Sequence, residues 1–268
     1  MHSELNRQSG ILLHLTSLPG PHGIGDLGRG AYSFVDSMTE MGQRLLQILP
    51  ANPPESLYHC PYSASSAFAG NSLLISLETL QKDGFLEDRD LADFPQCTKD
   101  RVEFDKVNPA RRALLQKAAD RFPKKAPADI LTEFNDFCIQ NRNWLDHYAM
   151  YCHLDEKYKH VNWTQWSEPL RFCDSKAIQE EFTQHKQEIN RTRILQYFFY
   201  HQWQNLKEYA DSQGVSIIGD IPIYVAHDSA DVWANQGLFK LDEAGHMTVQ
   251  SGCPPDFFVK TGQIWAHP

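Results

Sequence analysis

Apolar positions along the chain fall into two rhythms, short continuous runs and longer stretches at helical spacing. Residues 11 to 15, Ile-Leu-Leu-His-Leu, form a run closed by Leu18-Pro19-Gly20-Pro21, which predicts a buried strand followed by a loop. Ala31, Phe34, Val35, Met38 and Met41 then recur at helical spacing, and Gly42 marks the stop. Leu45, Leu46, Ile48 and Leu49 predict a second buried strand, ended by Pro50. Strand, helix and strand with short links make a βαβ unit, which is nearly always parallel and right-handed.

Residues 50 to 72 lack periodicity and are rich in Pro, Ser, Ala and Tyr, as in a functional loop. Residues 73 to 84 read as a short strand or helix ending near Gly84. Residues 85 to 190 are polar and helical, an insertion beside the sheet. Within it, Asn108-Pro109 predicts an N-cap and first helical position. Ile130, Phe134, Phe137, Trp144, Leu145, Tyr148 and Tyr151 carry one longer helical pattern. Residues 191 to 213 predict a strong helix capped by Gly214, and Val215 to Ile218 a third buried strand running into Gly219-Asp220-Ile221-Pro222. The expected organisation is 1–84, 85–190 and 191–268, with the last part loop-like.

Composition narrows the classes. The 268 residues are 41% hydrophobic and 22% charged, as in ordinary globular proteins. A net charge of -9 disfavours nucleic acid and suits a neutral ligand such as a sugar. Six cysteines at irregular spacing predict reduced thiols of a cytoplasmic protein, neither disulfide scaffold nor zinc site. The N-terminus lacks a secretory signal, no run is long enough to span a membrane, and the histidines lack metal-ligand spacing.

Gly23-Ile24-Gly25-Asp26-Leu27-Gly28 matches the dinucleotide fingerprint and lies between a strand and a helix. Pro19 and Pro21 make the connection too long, and Leu49-Pro50-Ala51-Asn52 lacks an acidic residue for a ribose, so a plain loop is the better reading. Asp220 ends a parallel strand, where barrel active sites lie, and either binds ligand or only orders the turn before Pro222. Tyr58, Tyr62, Phe68, Phe257, Phe258 and Trp265 lie in loops, where aromatic faces can pack on pyranose rings. Phe68 reads as a core anchor, Tyr62 and Trp265 as ligand contacts. His227-Asp228-Ser229 cannot face one another as a hydrolase triad and reads as a helix start capped by Ser229 or Asp228.

Several motifs in one order resemble the amylomaltase, or 4-α-glucanotransferase, family. They are Ser9 to His14 with Thr16 to Gly20, Gly23 to Gly28, Ser66 to Asn71, Gly219 to Trp233, and Pro254-Pro255-Asp256 with Thr261-Gly262-Gln263. The resemblance implies an α/β fold, a (β/α)₈ TIM barrel with helical subdomains, of which this chain would carry the first three strands. It implies retaining transfer between α-1,4-glucans through a covalent glucosyl-enzyme, releasing glucose and longer maltooligosaccharides, with no cofactor or metal. By the same resemblance, Asp220 is the sugar-binding carboxylate and Tyr62 the substrate-loop tyrosine. Phe257, Phe258 and Trp265 form an aromatic lid, and Ser63, Asn71 and Asp256 are further substrate contacts. The family's Arg-x-Asp-His-x-Arg nucleophile motif is absent from these residues. The chain alone is therefore expected to be inactive with exposed strand edges, or else to be a glycan-binding remnant of the fold. His59, Cys60 and Ala266-His267 depart from the family pattern.

Overall fold

The computed structural model describes residues 7–54, 60–265 and 267–268; Tyr58, His59 and Ala266 lie outside the described residues. In chain order the elements are β1 (Gly10–Leu13), α1 (Arg29–Glu40), β2 (Leu45–Ile48), α2 (Leu77–Lys82), α3 (Asp88–Leu91), α4 (Phe104–Lys125), α5 (Ala128–Gln140) and α6 (Arg142–Lys157). There follow α7 (Glu168–Arg171), α8 (Ser175–Gln184), α9 (Lys186–Ser212), β3 (Ser216–Ile218), α10 (Ala230–Ala234), β4 (Gly252–Cys253) and β5 (Gln263–Ile264). The chain divides into two compact units, one of residues 1–51, 70–132 and 194–221, the other of 52–69, 133–193 and 222–268.

The first unit holds a parallel sheet in the order β1-β2-β3. All three strands are the predicted apolar runs. The buried-strand reading holds for one face only: Leu46 and Ile48 are buried, while Leu12 is 56% and Ile218 42% exposed. Leu12, Gln47 and Ile218 are paired in register, so they form one row across the open face. The glycines that stop α1 and α9, Gly42 and Gly214, sit at φ +71° and +70°, where a Cβ would be strained.

The long helix α9 supplies two buried amides as well as apolar packing. Gln196 takes the Gly70 N–H at 2.7 Å and donates to the Gly70 carbonyl at 2.9 Å. Gln202 does the same to Ser76 at 2.7 and 3.3 Å. Each glutamine thus satisfies a buried peptide group as a neighbouring strand would. Phe85, Phe122 and Phe198 close the core beside them, each ring pair 5.3 Å apart.

Two predicted boundaries differ. The helix expected to begin at Asn108-Pro109 begins earlier, at Phe104, and Pro109 lies inside it. Pro109 removes the N–H that would reach the Asp105 carbonyl and its ring crowds that carbonyl, so the helix carries a local cost in its second turn. The single pattern across 130 to 151 is two helices, α5 and α6. Between them the Asn141 side chain donates to the Phe137 carbonyl at 2.9 Å and accepts from Trp144 Nε1 at 3.1 Å.

The second unit packs α6, α7, α8 and α10 around Tyr151, Trp163, Trp166 and Trp233, all buried. Ser229 caps α10, accepting from Val232 N at 3.2 Å. Asp228 accepts from the Tyr151 hydroxyl at 2.8 Å and from Trp163 N at 3.3 Å, and His227 Nε2 lies 2.8 Å from the Gly245 carbonyl. Each member of the His-Asp-Ser trio is held by a different structural partner, which excludes a triad.

Candidate functional site

The glycine-rich loop is a packing device. Gly25 N donates to the Thr16 carbonyl at 3.0 Å, and a Cβ on Gly25 would press on the backbone carbonyls of Leu15 and Leu18. Asp26 turns inward, accepting from Gly28 N at 3.0 Å and pairing with Arg111 at 3.2 Å. Gly25 is needed because backbone meets backbone there, whereas a Cβ on Gly23 or Gly28 would press on the side chains of Cys97 or Ser76.

Asp220, in the first unit, lies just past the C-terminal end of β3 and is partly buried, with its Oδ1 accepting from Ile221 N at 2.8 Å. Asn71 of the same unit is buried, its side chain accepting from Leu73 N at 3.0 Å and its N–H reaching the Ala51 carbonyl at 2.8 Å. One carboxylate oxygen of Asp220 thus orders the turn.

In the second unit the loop from Ser66 to Ala69 is held by polar contacts. Asn52 Nδ2 donates to the carbonyls of Ser66, Ala67 and Ala69 at 3.2, 2.9 and 3.1 Å. Ser66 Oγ accepts from the amides of Phe68 and Ala69, both at 3.2 Å, and Asp231 from Ala67 N at 3.0 Å. With the loop fixed this way no aromatic anchor is required. Phe68, expected in the core, is instead 52% exposed and stacks on Trp144 with ring centroids 6.4 Å apart. Tyr62 is 45% exposed, and Ser63 N donates to the Cys60 carbonyl at 3.1 Å.

Phe68, Trp144, His147, Tyr224, Asp231 and Asn235 line a cleft of about 450 Å³ within this unit. Burial holds the Asp231 carboxyl above the usual aspartate value, against the opposing pull of the Ala67 amide. Apart from Phe68, these lining residues were not singled out in the sequence, because Trp144 falls in a helical pattern that reads as core.

The hairpin β4–β5 gathers four of the expected site residues. Asp256 Oδ1 accepts from the amides of Phe258 and Val259 at 2.9 and 2.6 Å, which ties the turn. Phe257 and Phe258 stand on it 92% and 87% exposed, edge to face at 5.4 Å. Trp265 is 42% exposed, with Nε1 donating to Gln263 Oε1 at 3.0 Å. Leaving such area in water costs about 1.5–3 kcal/mol for each large side chain relative to burial, so the tip is suited to a ligand with an apolar face.

Comparison with known proteins assigns the class. Residues 13–268 match the family model described as 4-alpha-glucanotransferase, and the chain belongs to that family. It is 42% identical over 265 residues to the 4-alpha-glucanotransferase of Streptococcus pneumoniae serotype 4, covering 98% of this chain and 52% of that protein. It is 39% identical over 267 residues to the chloroplastic/amyloplastic enzyme of Solanum tuberosum, covering 98% and 46%. The solved amylomaltase from Streptococcus agalactiae, in complex with acarbose, superposes with a TM-score of 0.92 at 37% identity, over 98% of this chain and 52% of that one. The chain thus spans about half the length of the relatives it matches. No helix among the described residues is long and apolar enough to cross a membrane.

Proposed function

We propose that this chain is the substrate-positioning part of a cytoplasmic 4-α-glucanotransferase that moves α-1,4-glucan segments between maltooligosaccharides. The observation that carries the reading is the match over 13–268, joined to a close structural likeness to an amylomaltase that binds acarbose. The three parallel strands serve as the first three of a (β/α)₈ barrel, with the row Leu12, Gln47 and Ile218 facing its interior. A carboxylate at the end of a barrel strand can accept from sugar hydroxyls, so Asp220 orients a glucose unit while ordering its own turn. Asn71 acts on that site through the loop it caps. Phe257, Phe258 and Trp265 close over pyranose faces, Asp256 holds their turn, and Tyr62 with Ser63 lines the donor loop. Transfer is retaining, with a carboxylate nucleophile and a second carboxyl as acid and base. No cofactor is used in the chemistry, and neither nucleic acid nor membrane is a partner.

The test is chromatography of products from maltotriose incubated with the intact enzyme. Glucose together with longer maltooligosaccharides is the expected outcome. Hydrolysis products alone would refute transfer.

A further inference from the structure

In the second unit, α6 and the C-terminal end of α8 bring together His153, Glu181 and His185, the last being the residue that caps α8. One ligand-type atom from each lies within 4.8 Å of the others. His153 Nε2 is 3.6 Å from Glu181 Oε2, and His185 Nε2 is 3.8 Å from Glu181 Oε1. Ligands at about 2.0–2.1 Å around a tetrahedral zinc ion stand roughly 3.4 Å apart, so the two histidine–glutamate distances need only a small contraction.

Two features set the trio apart from an ordinary surface pair. His153 Nε2 is buried and has no hydrogen-bond partner among the described residues, a costly state for a polar atom. Glu181 is itself buried, with its side chain 7% exposed, while the His185 side chain is 37% exposed and leaves a path from solvent. Neutral imidazole is the form that ligates metal, and both rings have Nε2 as the atom nearest the Glu181 carboxylate. The present counter-charge is Lys157, whose ammonium contacts both Glu181 oxygens, the longer contact being 2.7 Å. That side chain is 40% exposed and can swing into water. A lysine satisfies the carboxylate but cannot serve the orphaned imidazole nitrogen, whereas a divalent cation serves both.

We propose that His153, Glu181 and His185 form a zinc site that cross-links α6 to α8, with water completing the coordination and Lys157 as the competing cation. Two imidazoles and one carboxylate are a borderline-hard set suited to Zn²⁺. The ion would act as a brace on the second unit.

The test is titration of the metal-free protein with Zn²⁺ against a chromophoric chelator, with Co²⁺ as spectroscopic probe. The expected result is one tight equivalent, a raised melting temperature, and a tetrahedral Co²⁺ spectrum without the thiolate charge-transfer band that cysteine ligation would add. His153→Gln and His185→Gln should each weaken binding by at least about tenfold, the range already seen for partners one shell further out. Lys157→Met should tighten it. A merely structural salt bridge would instead be weakened by Lys157→Met with no change in zinc affinity. Zinc affinity equal in the wild type and both histidine variants, or a thiolate band in the Co²⁺ spectrum, would overturn the proposal.

Discussion

The pair between Asp26 and Arg111 is the most exacting test of how the glycine-rich loop is held. Both side chains are buried, Arg111 completely, and their closest atoms are 3.2 Å apart. Arg111 also donates to the Ile75 carbonyl, while its Nε and Nη1 have no partner among the described residues. At an effective dielectric of about 20 the attraction is roughly 5 kcal/mol. Burial opposes it by favouring the neutral guanidine, with Asp26 pulling the other way. Burial thus offsets much of the gain for the pair, but removing either member alone leaves the other buried without its counter-charge. Arg111→Met strands a buried carboxylate and should cost about 3–5 kcal/mol. Asp26→Asn keeps an acceptor for the Gly28 amide but strands the guanidinium, and should cost a similar amount. The double variant should be less destabilised than the sum of the singles by several kcal/mol. Chemical denaturation followed by far-ultraviolet circular dichroism gives all three values. An Arg111→Met cost under about 1 kcal/mol, or additivity in the double variant, would refute a charge-coupled pair.

Other outcomes follow from the same structure. Gly25→Ala should destabilise by about 1–3 kcal/mol, since its Cβ would lie 2.6 Å from the Leu18 carbonyl oxygen; an unchanged melting temperature would remove the packing role. Burial lowers His14, His22 and His153 below their usual 6.5, so the unfolded chain takes up protons more readily as pH falls. Stability should be full above that value and decline as pH falls below it toward the depressed folded-state values, less steeply in His22→Gln; a flat profile in urea melts would contradict the sign. In the intact enzyme Asp220→Ala should lower transfer at least tenfold with the fold retained, because charge-assisted bonds to hydroxyls are worth about 1.5–3 kcal/mol each; near-normal kinetics would leave Asp220 with its turn alone.

The sheet was legible because a buried strand must be an apolar run and a helix must repeat its apolar side. The helix stops at Gly42 and Gly214 were legible because left-handed backbone selects glycine. What local pattern hides is partnership across distance. Gln196 and Gln202 look like ordinary polar helix positions until Gly70 and Ser76 meet them. Asp26 looks like a loop residue until Arg111, far along the chain, is buried against it. Phe68 was misjudged because the polar lattice from Asn52 and Ser66 removes the need for an aromatic anchor. The hairpin aromatics were legible as loop residues off any periodic face, and their roles on a glucan rest on the family.

The paired glutamines of α9 have a further consequence. A glutamine amide grips a peptide by its backbone alone, indifferent to the side chain that peptide carries. The course of the segment from Gly70 to Ser76 is thereby addressed by the helix, while the amino acids between the two grips are constrained only by their own caps and contacts. Such a division separates the shape of a loop from its lettering. Substitutions between the two grips should therefore leave the course of the loop in place, so long as an amide remains at each of the two helix positions.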